Sequence, residues 1–269
     1  IGTYGFLRFS LPLLPYASAT CMPWILALAA IGIVYGALVA LAQDDVKRLI
    51  AYSSVSHLGY CMLGLFALNV VAAQGALLQM INHGISTGAL FAMIGMLYER
   101  LHTRSMDDMH GLARKMPWFG FFFVLFTFSS IGVPGLNGFA GEFLVLLGMF
   151  RSAWGDAAGD SVWVLRIVSL VGVAGIVLGA WYMLRLVRCL VFGPLRLPSD
   201  HTECRDLSWR EIGALAPLAV FVFWIGLHPG WFLRVTQHDV ESVVSAAQSA
   251  SLQPDHNQLA ARPSLVGKP

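Results

Sequence analysis

Apolar residues run in long blocks, and the gaps between the blocks are the first landmarks. Asp, Glu, Lys and Arg are absent from residues 10–43, 49–98, 116–141, 167–184 and 212–233. A helix needs about 20 apolar residues to cross the hydrocarbon of a bilayer, so each block is sized for a crossing. The block 49–98 has room for two, with a natural break at Ala67, Leu68 and Asn69. Pro12, Pro15 and Pro23 interrupt the first block. Proline removes a helical hydrogen bond and clashes with the preceding turn, so the pattern predicts one helix there from about Trp24 to Gln43. The whole reads as the tail of one helix over 1–9 and six full spans near 24–42, 46–68, 73–99, 117–150, 163–193 and 212–233. The chain opens at Ile1 inside an apolar segment, with neither the basic start nor the small-residue cleavage site of a signal peptide. It is expected to be a piece cut within a membrane helix.

The stretch 117–150 is too long for one plain crossing, and IGVPGLNGFAG sits in its middle. Glycine and proline inside an apolar segment mark a discontinuous helix, whose unwound backbone must be buried in protein or line a wet cavity. A kinked helix and a tight helical hairpin are the competing readings.

Composition settles the class. Of 269 residues, 57% are hydrophobic and 12% charged, against roughly 25% charged in ordinary globular domains. Mean hydropathy is +0.68. So few charges cannot cover a water-soluble fold, and the expected fold class is all-α, a polytopic transmembrane helix bundle. A net charge of +2, from 17 basic and 15 acidic residues, leaves no basic field for nucleic acid. Cys21, Cys61, Cys189 and Cys204 show neither metal-ligand spacing nor a disulfide framework, and three of them, in or beside apolar runs, read as inert buried thiols. No glycine-rich nucleotide motif is present, so neither a metal nor a cofactor site is expected in this chain. The aromatic residues read as lipid contacts and interface belts.

Loop charge orients the bundle. Lys47, Arg48, Arg100, Arg104, Arg114, Lys115, Arg185, Arg188, Arg196, Arg205 and Arg210 all fall after the first, third or fifth full span. The opposite loops hold Arg151 and Arg166, with Arg234 at the start of a polar tail. Lys and Arg are enriched in cytoplasmic loops, which puts the first group on the cytoplasmic side. The chain divides into a membrane domain over 1–234 and a tail over 235–269, with a short amphipathic helix expected in the tail before it frays.

Inside the hydrocarbon zone the chain keeps three ionisable side chains: His57, His83 and Glu142. Charge at mid-membrane costs several kcal/mol, so such residues face the bundle interior and mark ion or proton paths. Glu142 directly follows the glycine-rich interruption, where unwound backbone and water can solvate it. Burial disfavours the charged form of a carboxyl, which suits a group that takes up and releases a proton. Ser53 and His57 lie one helical turn apart, as do Gln79 and His83, and Asn82 and Ser86. These stripes make a hydrophilic seam on two neighbouring helices, and imidazole suits proton relay because it titrates near neutrality. Each histidine can equally be a satisfied packing residue. Lys47, with Arg48 after Asp44 and Asp45, reads first as an interfacial anchor and only second as a relay member.

The strings IGTYGFLRFSLPLLP, QDDVKRLIAYSSVSHLGY, GALLQMINHGISTGALF, YERLHTRSMDDMHGLA and PGLNGFAGEF resemble the antiporter-like membrane subunits of respiratory complex I. The resemblance covers residues 1 to about 234. It implies an antiporter-like fold of fourteen helices in two inverted five-helix repeats, of which this chain supplies the end of the eighth and helices nine to fourteen. PGLNGFAGEF then belongs to the discontinuous twelfth helix. The resemblance matches Glu142 to the proton-exit carboxylate of the second half-channel, and His57 and His83 to the central hydrophilic axis. The family's central lysine and its first half-channel would precede Ile1. The implied function is proton translocation by a subunit of NADH-quinone oxidoreductase. The partners would be the other membrane subunits, including neighbouring antiporter-like ones. NADH, FMN, iron–sulfur clusters and quinone would all be held in partner subunits. A multisubunit cation/proton antiporter and a membrane-bound hydrogenase complex share the ancestry. Glutamate at position 142, where several relatives place lysine, points to the respiratory type.

Overall fold

The computed structural model describes residues 1–155, 162–196 and 205–251, so Cys204 and the end of the polar tail lie outside the described residues. Helical turns Gly2–Gly5, Phe6–Ser10 (a π-helical turn) and Leu11–Leu13 lead in. Eight helices follow: α1 Pro15–Leu41, α2 Val46–Phe66, α3 Val70–Leu101, α4 Pro117–Ile131, α5 Asn137–Trp154, α6 Val162–Leu190, α7 Trp209–Leu227 and α8 Pro229–Ser251. Of these, α1, α2, α3, α6 and α7 are long and apolar enough to cross a membrane, and α4 is a shorter apolar helix. The long stretch 117–150 is two helices, α4 and α5, with the chain unwound over 132–136. The discontinuous reading holds.

Two boundaries differ from the sequence pattern. α1 begins at Pro15, nine residues before Trp24, and runs through Pro23. Proline is favourable in the first helical turn, where its missing N–H has no partner anyway, and an internal proline is tolerated where neighbouring helices support the backbone. The last span stops at Leu227 rather than 233, because Pro229 biases His228 away from helical dihedrals. α8 starts at that proline, so the expected junction at 234/235 lies within a helix. Its buried stripe is Val240, Val244 and Ala247, the first two against Ala73. Gln248 Nε2 donates to the Leu68 carbonyl in the α2–α3 turn, 2.7 Å away.

Polar caps decide where the helices start. Asp45 accepts from the Arg48 N–H at the head of α2, and Asn69 from the Ala72 N–H at the head of α3. Ser208 and Glu211 form a reciprocal capping box on α7. α4 has no local side-chain cap. Asp206 supplies one from a distant loop, accepting from the N–H groups of Trp118 (2.9 Å) and Phe119 (3.1 Å). Arg185 closes the other end of α1, donating to the Leu41 carbonyl and reaching Asp44.

Two apolar clusters fill the bundle. One gathers Leu49, Ile50, Leu90, Leu97, Phe123 and Leu186; the other Tyr60, Leu63, Ala72, Ala76, Val145 and Val168. Along α2 and α3 the segments between them carry Ser53 to His57 and Gln79 to Thr87, so the buried polar side chains occupy a band between two apolar layers. Of the cysteines, Cys61 is buried and Cys189 half-buried, whereas Cys21 is exposed on α1, contrary to the expectation of a buried thiol.

Candidate functional site

α5 carries Glu142 into that band, where α2, α3, α6 and α7 all pack around α5. Small residues make the approach close. A side chain at Gly75 would meet the Val145 backbone at 2.6 Å, and one at Gly148 would meet Ala72 at 2.5 Å. α3 and α5 therefore lie almost backbone to backbone, and polar side chains of modest length can bridge them.

Glu142 is 4% exposed and His57 5%. His57 Nδ1 lies 3.2 Å from Glu142 Oε1, and Gln79 Nε2 donates to the same oxygen at 3.1 Å. The other ring nitrogen of His57, Nε2, is 3.3 Å from the Ser130 hydroxyl. One imidazole thus stands between a carboxylate and a hydroxyl. Either ring nitrogen can carry the proton, so the imidazole can hydrogen-bond to the carboxyl and the hydroxyl at once. The second oxygen, Oε2, sits where the chain turns at Gly132, which has φ +80°. A Cβ there would lie 2.8 Å from Oε2, so glycine supplies both the left-handed turn and the room for the carboxylate.

His83 is half-buried, with its ring centroid 5.5 Å from that of His57 and its Nδ1 3.1 Å from Thr87 Oγ1. Its link to the Glu142 cluster is ring proximity to His57. A small cavity of about 10 Å³ lies between His57, His83, Asn82, Ser129 and Ser130, room for about one water. Gln79 Oε1 and Asn82 Oδ1 are buried without a hydrogen-bond partner among the described residues. Asn82 is oriented by chemistry, because its nitrogen faces the Asn137 backbone carbonyl, an oxygen that can only accept.

Lys47 is exposed in the first turn of α2, ten residues from His57, about 15 Å along the helix. The structure leaves it outside the buried cluster, as an anchor would be. Ser129, Ser130 and Asn137 belong to the cluster and were not singled out by spacing. Their signal was a Ser–Ser pair and an asparagine flanking the glycine-rich interruption. No group of three or more His, Cys, Asp or Glu side chains that could hold a metal ion occurs among the described residues.

A broken helix that brings a buried carboxyl against polar side chains of neighbouring helices is a feature of membrane transporter folds. Residues 1–174 match the family model described as NADH:quinone oxidoreductase/Mrp antiporter, TM. The chain belongs to this family. It is 43% identical over 230 residues, 85% of its length, to NADH-quinone oxidoreductase subunit M of Rhodobacter capsulatus, and covers 42% of that relative. Its fold matches a chain of respiratory complex I from Thermus thermophilus with a TM-score of 0.80 and 31% identity, over 92% of this chain and 49% of that one. A chain of the Mrp complex from Dietzia sp. DQ12-45-1b shares the fold, with a TM-score of 0.76 at 17% identity, over 93% and 53% of the two chains. The chain thus spans about half the length of the relatives it matches. It is an antiporter-like, multi-pass membrane protein.

Proposed function

We propose that this chain carries the second half-channel of an M-type proton-translocating subunit of NADH-quinone oxidoreductase, in a bacterial inner membrane. The observation that carries the reading is the buried Glu142–His57 contact, joined by Gln79 at the same carboxylate oxygen, beside a broken helix. The 43% identity to a subunit M and the 31% identity to a complex I chain support the respiratory assignment. Electron transfer takes place in partner subunits, which hold NADH, FMN, iron–sulfur clusters and quinone. Here Glu142 stores the proton, His57 exchanges it with Ser130 and the water-sized cavity, and His83 continues the path across α3. Gln79 holds the carboxylate in place by donating to it. Lys47 anchors the cytoplasmic end of α2. The membrane domain is residues 1–234, and the polar tail begins within α8.

The test uses inverted membrane vesicles with the full-length parent protein. NADH-driven proton uptake is compared with that of Glu142→Gln, and NADH–ferricyanide activity reports assembly. Uptake should collapse while the ferricyanide reaction holds. Unchanged uptake refutes the carrier role of Glu142. Uptake that responds to a cation gradient but not to NADH makes the chain an Mrp-type exchanger instead.

A further inference from the structure

Glu142 meets His57 and Gln79 only if α5 keeps its place, yet α5 is joined to α4 by unwound chain alone. Asn137, the first residue of α5, is fully buried at that junction. Its side chain closes a ring. Asn137 Nδ2 donates to Ser86 Oγ at 3.5 Å, the hydroxyls of Ser86 and Ser129 are 2.5 Å apart, and Ser129 Oγ donates to Asn137 Oδ1 at 2.5 Å. An amide nitrogen only donates and an amide oxygen only accepts, so the ring runs one way, from Asn137 to Ser86 to Ser129 and back. Each hydroxyl donates once and accepts once. Such a ring cannot reverse, so it holds a position rather than conducting protons.

The ring joins the end of α4, the start of α5 and the middle of α3. Asn82 Nδ2 adds a bond from α3 to the Asn137 backbone carbonyl, at 2.7 Å. On the opposite side α7 backs the junction, where a side chain at Gly226 would meet the Gly135 carbonyl oxygen at 2.3 Å. Glu142 follows Asn137 by five residues, about 7.5 Å along α5. The Asn82–Asn137 and Gln79–Glu142 bonds are consequently two rungs between the same pair of helices, and a slide that strains one strains the other.

We infer that Asn137 is a positioning residue for Glu142: the ring it closes with Ser86 and Ser129 sets the register of α5 on α3 in which Glu142 reaches His57 and Gln79. This deepens the proton-carrier reading and rests on it. The other titratable groups around Glu142 are His57, Tyr60 and Cys61 of α2, His83 of α3 and Tyr182 of α6.

The experiment uses the full-length protein in its membrane complex. Difference infrared spectroscopy follows the carboxyl band that Glu142→Gln removes, titrated with pH in the parent, in Asn137→Ala and in the milder Ser86→Ala. In Asn137→Ala the midpoint should move by about half a pH unit or more, with NADH-driven uptake falling several-fold at unchanged NADH–ferricyanide activity. Ser86→Ala should move it the same way by less. A parent-like midpoint in assembled Asn137→Ala overturns the positioning role; if that variant does not assemble, Ser86→Ala decides by the same criterion. A parent whose Glu142 band does not titrate at all instead refutes the carrier reading, and the positioning role falls with it.

Discussion

Glu142 and His57 each have one partner the other cannot replace. Removing His57 leaves the buried Glu142 carboxyl with Gln79 as its remaining hydrogen-bond partner, and losing one partner of a buried polar group costs about 1–3 kcal/mol. His57→Leu should therefore lower the melting temperature of the purified complex as well as abolish NADH-driven proton uptake. Lys47→Ala removes an exposed charge far from the cluster. Its effect on stability should stay within about 0.5 kcal/mol, with proton uptake at the parent level. A large loss of uptake in Lys47→Ala would return that residue to the path. Spacing alone exposed His57, His83 and Glu142, because ionisable groups in apolar blocks stand out. It could not separate their jobs: Gln79 and His83 lie one turn apart on α3, yet Gln79 bonds the carboxylate while His83 meets Thr87.

At the scale of elements, the broken crossing depends on close backbone contact and a borrowed cap. An added Cβ at Gly138 would sit 2.0 Å from the Ser129 carbonyl oxygen. Backbone cannot yield there, so Gly138→Ala should prevent assembly of the mature complex, measured by native gel. Gly213→Ala in α7, with nothing within 4 Å, should assemble as the parent does. The N-terminus of α4 relies on Asp206, which accepts two of its free N–H groups. Asp206→Ala should cost about 1 kcal/mol, within the range for a lost helix cap, read as a lower melting temperature or faster proteolysis of the loop before α4. Sequence pattern does not show this cap, since donor and acceptor are 88 residues apart.

Across the whole molecule, the basic loops and the bundle ends define a direction. If the side holding Lys47 and Arg104 is cytoplasmic, a cysteine at Asp107 should react with a membrane-impermeant thiol reagent in inverted vesicles. A cysteine at Arg151 should react only in right-side-out spheroplasts. Both positions are exposed, and the native cysteines would first be replaced by serine. The reverse labelling pattern would invert the topology. α8 bears on the same picture, because its buried stripe packs on α3 and its Gln248 reaches the α2–α3 turn. It is part of the bundle's surface over its described length, not a loose extension.

Hydropathy and the glycine–proline interruption were enough to read a polytopic helix bundle and its discontinuous helix. These are one-dimensional properties: a bilayer demands apolar length, and unwound backbone demands residues that permit it. α1 starts earlier and α7 ends earlier than hydropathy alone predicts, because proline's effect depends on whether it opens a turn or interrupts one. Only the tertiary structure decided which polar side chains meet. Glu142 finds His57 across 85 residues of sequence, and Asn137 finds Ser86 across 51. Such contacts are set by how α2, α3 and α5 rotate and slide against one another at glycine-lined interfaces, and that geometry is a property of the packed helices together.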